Sequence, residues 1–207
     1  MEQFIDEDWY GSYFELAIQF KNKLSDDLLR DCIHGLWSND HLFGPCIEKE
    51  NVGKGFIDFG LVSGEVFSNY LYGILTLADS TLLGCLSLTV REEEGSDWLD
   101  FCIPSGILEK KYSVTYPLIP EKNLFLQELE TVFSEIAKTV YSISPFDMAL
   151  IGEEVSGMLY VDSLTKDYVL KGGVIIPEKT AAKAGALNAG IRISSDLLLY
   201  PNKTNCF

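Results

Sequence analysis

Apolar and polar side chains alternate from Tyr13 to Phe20, with Phe14, Leu16, Ile18 and Phe20 on one side and Glu15 and Gln19 on the other. A period of two predicts a strand with one face in a core and the other toward water. The period then changes. Leu28, Leu29, Cys32, Ile33, Leu36 and Trp37 fall on one face of a helix. Ser25 offers an oxygen to the first free amides, and Asp26 and Asp27 place negative charge where the helix dipole favours it. The chain opens with a strand and then a helix.

Residues 38–55 are less regular, broken by Gly44-Pro45 and Gly53-Lys54-Gly55, and a strand is expected at Phe56–Val62. Three strand-like runs follow, Tyr70–Leu77, Leu83–Arg91 and Trp98–Ile103, joined by the short links Ala78–Thr81 and Glu92–Asp97. Short links imply antiparallel neighbours, so residues 70–103 predict a meander, closed by Pro104, which has no amide to give a ladder. The window from Tyr70 to Val90 has one acidic or basic residue before its end, Asp79, and is long enough to cross a bilayer as a helix. A mid-membrane aspartate would cost roughly 3 kcal/mol. Asp79-Ser80 is also a good turn pair, so a hairpin is the expected form.

Phe125, Leu129, Val132, Phe133, Ile136 and Val140 mark a helix over 121–142, which Pro145 ends. Beyond it the pattern predicts a strand at Phe146–Ile151, a glycine-bounded segment Gly152–Gly157, and strand-like runs at Met158–Val161 and Tyr168–Ile176. A short helix over Glu178–Ala186, entered through Pro177, and a last strand at Ile191–Tyr200 complete the chain. Strands grouped apart from helices favour an α+β fold, an antiparallel sheet packed by two main helices (25–37 and 121–142), over a doubly wound parallel sheet. One domain of residues 1–207 is expected. The alternative is a boundary near 104–120, where Pro104, Pro117 and Pro120 gather and the charge balance shifts.

Composition allows a packed core: 47% of the 207 residues are hydrophobic, and a chain this long buries about 70% of the surface it exposes when unfolded. The net charge of −15 is unevenly placed. Residues 1–103 hold 19 acids and 6 bases (−13), and residues 104–207 hold 12 acids and 10 bases (−2). This balance offers no positive footprint for nucleic acid. An acidic half attracts a basic partner and speeds their encounter, although net charge also serves plain solubility. The five cysteines, Cys32, Cys46, Cys85, Cys102 and Cys206, are odd in number and form no C-x-x-C pair, which argues against a disulfide framework. The N-terminus lacks the basic and apolar stretches of a signal peptide. A reducing cytoplasm is the expected compartment, with the Asn202-Lys203-Thr204 sequon incidental.

The chemical motifs are few. A phosphate loop around Gly53-Lys54-Gly55 would need glycine at Glu48 and serine or threonine at Gly55, and a dinucleotide loop would need glycine at Asp58. His34 and His41 have no zinc spacing to the cysteines, and a thiol nucleophile at Cys32 or Cys46 would depend on a spatial pairing with one of them. No cofactor, metal or catalytic residue is assigned. Two acidic groups stand out. Glu92, Glu93, Glu94, Asp97 and Asp100 surround Trp98 at a hairpin tip, a candidate partner-binding epitope with tryptophan as anchor, or else a solvated turn that deters aggregation. Asp147, Glu153 and Glu154 form an alternative polar site, because paired carboxylates can divide acid and base roles. Adjacent Glu153 and Glu154 point to opposite sides of an extended strand, so only a bend brings Asp147 to one of them.

These features favour a cytoplasmic protein-binding module whose acidic half meets a basic partner, in its most specific form an immunity-type inhibitor that masks a toxin or nuclease. A small hydrolase using scattered carboxylates and an oligomeric structural component are the alternatives. Neither nucleic acid nor membrane is an expected partner.

Overall fold

The computed structural model describes residues 4, 6–54, 70–93 and 95–202. The strand expected at Phe56–Val62, Glu94 and Cys206 lie outside the described residues. The fold is α+β. Strands β1 (Tyr13–Phe20), β2 (Leu42–Cys46), β3 (Leu71–Thr76), β4 (Leu82–Arg91), β5 (Asp97–Pro104), β6 (Met148–Glu153), β7 (Val174–Pro177), β8 (Ile191–Arg192) and β9 (Leu197–Tyr200) form one sheet among the described residues. Their order is β2-β3-β4-β5-β1-β6-β7-β9-β8, and every neighbouring pair is antiparallel.

This order follows from the connections. After β1 the chain crosses through helix α1 (Asp26–Trp37) to the sheet edge, and the β2–β5 meander returns it to one side of β1. Helices α2 (Ser105–Lys111) and α3 (Leu126–Ile143) then carry it to the other side, where β6 pairs with β1. The C-terminal strands extend the sheet outward from there, with α4 (Lys166–Lys171) and α5 (Glu178–Lys183) between them. Residues 13–104 thus build one half of the sheet, residues 148–200 the other.

Local chemistry explains the elements. Ser25 Oγ accepts from Leu28 N at 3.2 Å and starts α1 where expected. The Tyr70–Val90 window is a hairpin, its turn fixed by Leu77 N to Thr81 O and by Thr81 N to Asp79 Oδ1, 2.8 Å. Among the described residues, no helix is long and apolar enough to cross a membrane. Several segments depart from the pattern reading, among them β2, which forms within the irregular stretch 38–55. Tyr168–Leu170 is helical, because Thr165 caps the preceding turn and an apolar run this short does not distinguish helix from strand. Gly172 and Gly173, both at positive φ, stop that helix before β7. The Ile191–Tyr200 run is a hairpin bent at the turn-forming Ser194-Ser195-Asp196. α3 begins at Leu126, because the Asn123 side chain holds Thr115 N and Thr115 O at 2.8 and 2.7 Å in a preceding loop. Met158–Val161 is no strand, and Val161 gives its amide to the Gln19 side chain instead of a ladder.

The sheet is covered on both faces. On the first, Phe14, Leu16, Ile18 and Phe20 of β1 join Leu99, Phe101 and Ile103 of β5 beneath α1 and α3. Phe101 lies edge-on to Phe133 and Trp37, with centroids 5.5 and 6.1 Å apart. On the second, Ala17, Trp98, Met148, Leu150, Val174, Ile176, Leu198 and Tyr200 pack with Val169 of α4 and Ala181 of α5. β1 is therefore central and buried on both sides, not half-buried, and its Glu15 and Gln19 are enclosed.

Candidate functional site

The hairpin tip expected to present Trp98 is folded inward. Trp98 is 1% exposed beneath Tyr160, with ring centroids 5.8 Å apart. Glu92 acts as a brace, accepting from Ser96 N (3.0 Å), Trp98 Nε1 (3.1 Å) and Tyr160 OH (2.6 Å). Asp97 is fully buried and accepts from Leu24 N at 2.8 Å, with Arg91 at 3.4 Å. Glu93 remains exposed, and its carbonyl accepts from Lys23 Nζ. The structure thus separates the expected epitope into an exposed tip and three enclosed side chains, Asp97, Trp98 and Asp100. A tryptophan enclosed in this way cannot anchor a partner without prior opening.

Asp100 belongs to a polar belt that sequence reading did not assemble. The β1–β5 register sets Glu15 opposite Cys102 and Ala17 opposite Asp100, so both acids point to the second face. There they meet residues 154–163, which follow β6. Glu15 Oε1 accepts from Ser156 N (2.7 Å), Cys102 Sγ donates to Glu15 Oε2 (3.5 Å), and Ser156 Oγ donates to Asp100 Oδ2 (2.8 Å). Gln19 completes the belt, accepting from Val161 N at 2.8 Å and donating to Ser96 Oγ at 3.2 Å. Asp100 Oδ1 has no hydrogen-bond partner among the described residues. Burial, with Glu15 adding, raises the Asp100 carboxyl to about 7 against the pull of the Ser156 hydroxyl. Burial also raises Glu15, opposed by its bonds to Ser156 and Cys102. The belt can hold a proton near neutrality. The alternation of Glu15 and Gln19 was visible in the sequence, but the register that adds Asp100 was not.

Asp147, Glu153 and Glu154 do not converge. Asp147 precedes β6 and accepts from Lys21 N at 2.9 Å, whereas Glu153 ends the strand, about 20 Å further along at the usual rise. Glu153 accepts from Ser12 Oγ (2.7 Å) and Leu118 N (3.3 Å), and Glu154 from Tyr13 N (2.7 Å), so both fasten backbone or loop. Asp147 instead lines an open cleft of about 720 Å³ with Lys21, Phe146, Asp162, Lys183 and Asp196. The thiols lack activation: burial pushes Cys32 up to about 12 and Cys46 up to about 11, the reverse of a nucleophilic cysteine. Among the described residues, no group of three histidines, cysteines or carboxylates is arranged to hold a metal.

Ten of the described acids of the N-terminal half fall into three groups. Glu15, Asp97 and Asp100 are buried; Asp8, Asp26 and Asp27 pair with Lys110, Arg91 and Arg30. Asp31, Asp40, Glu48 and Glu50 are exposed, and among the described residues no lysine or arginine forms an ion pair with them. Asp31 lies on α1, and the other three flank β2 at the sheet edge. Compared with protein-family models, curated proteins and solved structures, the chain matches none.

Proposed function

We propose that this protein is a binding module that meets a basic protein partner through the acidic half of its sheet. The observation that carries the reading is the strand order. Because β2–β5 lie together on one side of β1, the described acids of residues 6–103 share one half of the sheet, which supports a common acidic surface. Asp31, Asp40, Glu48 and Glu50 supply exposed carboxylates there that form no ion pair with lysine or arginine among the described residues. Such a field raises the encounter rate with a cationic surface and repels anionic ones. In its most specific form the module is an immunity-type inhibitor covering the basic surface of a toxin or nuclease. The four described cysteines are free, buried thiols, which fits a reducing cytoplasm.

Neither alternative gains similar support. The hydrolase reading needs Asp147 beside Glu153 or Glu154, which occupy opposite ends of β6. Extension of the sheet between copies is disfavoured at β2 by Pro45 and a register shift between Phe43 and Cys46, and β8 is only two residues long.

Capture from lysate at about 50 mM and about 500 mM salt tests the proposal, because screening shortens the reach of exposed charges. The wild type should retain basic proteins at low salt and release them at high salt. A variant with Asp31→Asn, Asp40→Asn, Glu48→Gln and Glu50→Gln should retain far less. Retention of nothing basic at low salt, or equal retention by the variant, contradicts the proposal.

A further inference from the structure

Residues 154–163 belong to neither a strand ladder nor an α-helix, yet they cover the polar belt. Their entry and first bend use positive φ, at Glu154 (52°) and Gly157 (69°). Glu154 exchanges two hydrogen bonds with the Tyr13 backbone at the entry, and beyond it the attachments to the sheet are directional: Ser156 to Glu15 and Asp100, Val161 to Gln19, Tyr160 to Glu92, and the exposed Asp162 to Lys21 at 2.7 Å. Val155, Leu159 and Val161 add partly buried apolar contact. We propose that this segment is a pH-responsive strap, which closes over the second face while Asp100 holds a proton and loosens when Asp100 ionises.

The groups around Asp100 explain the direction. β1 contributes Glu15, β5 contributes Cys102, and the strap contributes the Ser156 hydroxyl, with Glu154 close enough to act on Glu15 and Cys102. Tyr13 of β1 lies within electrostatic reach of Cys102 and Glu154, and β4 sets the apolar Leu88 opposite Asp100. Arg91 on the neighbouring strand pairs with Asp26 and Asp97, and Lys21 beyond the end of β1 pairs with Asp162. Ionised Asp100 is therefore a buried charge beside a second carboxyl, with one oxygen unpartnered and no cation bonded to it among the described residues. Enclosing such a charge is costly, and lifting the strap hydrates it without disturbing the helices of the first face.

Opening has two consequences. Tyr160 leaves Trp98, and Val161 and Asp162, which line the 720 Å³ cleft, move with the segment. Acidity thereby controls access to a tryptophan and the shape of a cleft, independently of the acidic surface proposed above.

Hydrogen exchange of the full chain, corrected for intrinsic rates, tests the strap at about pH 5.5 and about pH 8. Protection of residues 156–163 should be at least about tenfold lower at the higher pH, while α3 keeps its protection. Asp100→Asn removes the titrating group and should give equal strap protection at both values. Equal protection in the wild type, or an undiminished pH effect in Asp100→Asn, overturns the proposal. Should that variant fail to fold, carboxyl NMR of the wild type decides: Asp100 and the strap amides should titrate with one midpoint, and separate midpoints contradict the coupling.

Discussion

On the first face of the sheet, β1 shows Phe14, Leu16, Ile18 and Phe20 to α1 and α3. On the second it shows Glu15, Ala17 and Gln19 to residues 154–163. The same strand is thus fastened in two ways. Apolar packing is non-directional and indifferent to pH, and its strength grows with the area removed from water. The belt uses a few directional bonds, each contributing about 1 kcal/mol net but costing more if one partner is stranded. The first face resists and the second can respond. One strand can serve both, because its period of two assigns alternate residues to independent environments.

Truncation on the first face should have the largest effect. Phe101→Ala leaves a void between Phe133 and Trp37, and urea unfolding should show a loss of about 3–5 kcal/mol. The pH effect comes next. Folding raises the Asp100 pKa from 3.8 to about 7, so between those values the folded protein keeps a proton that the unfolded chain has released. This contribution is full below about pH 4, falls as pH rises, and is lost above about pH 7. Asp79, Glu92, Glu109 and Asp162 are lowered and act in the opposite sense, so the wild type must be compared with Asp100→Asn. From pH 4 to pH 7 the variant should gain on the order of 2–4 kcal/mol relative to the wild type. A constant difference between the two would show that both faces are insensitive to pH.

Gln19→Ala should cost about 1–3 kcal/mol in urea unfolding, because it strands the Val161 amide and removes a bond to Ser96. The smallest effect is expected outside both faces. Arg30→Ala breaks only the exposed pair with Asp27, and the same measurement should show less than about 1 kcal/mol. A larger loss there would mean that surface charge contributes to stability as well as to encounter.

The helix at α1, the β3–β5 meander and the long α3 were legible because each has a strong period and recognisable ends, such as Ser25, Asp79-Ser80 and Pro145. Glu15 and Gln19 were also visible as the polar side of β1, but they read as solvent-facing. What enclosed them, a segment more than 130 residues away in the chain, depends on crossover and register, which local periodicity does not encode. Trp98 shows the same lesson in reverse. Its five nearby acids suggested an exposed tip, yet Glu92 turns back to hold the indole and Tyr160 covers it. Asp147 and Glu153 were close in sequence and distant in space for a simpler reason: an extended strand separates its ends.

Native-state exchange in low concentrations of urea tests the independence of the two faces most directly. The Ser156 and Val161 amides should exchange through a small opening that urea barely affects, while Leu16, Ile18 and Phe133 exchange only through global unfolding with its full urea dependence. If all five amides share one opening free energy and one urea dependence, the strap is not a separate unit and the contrast between the faces fails.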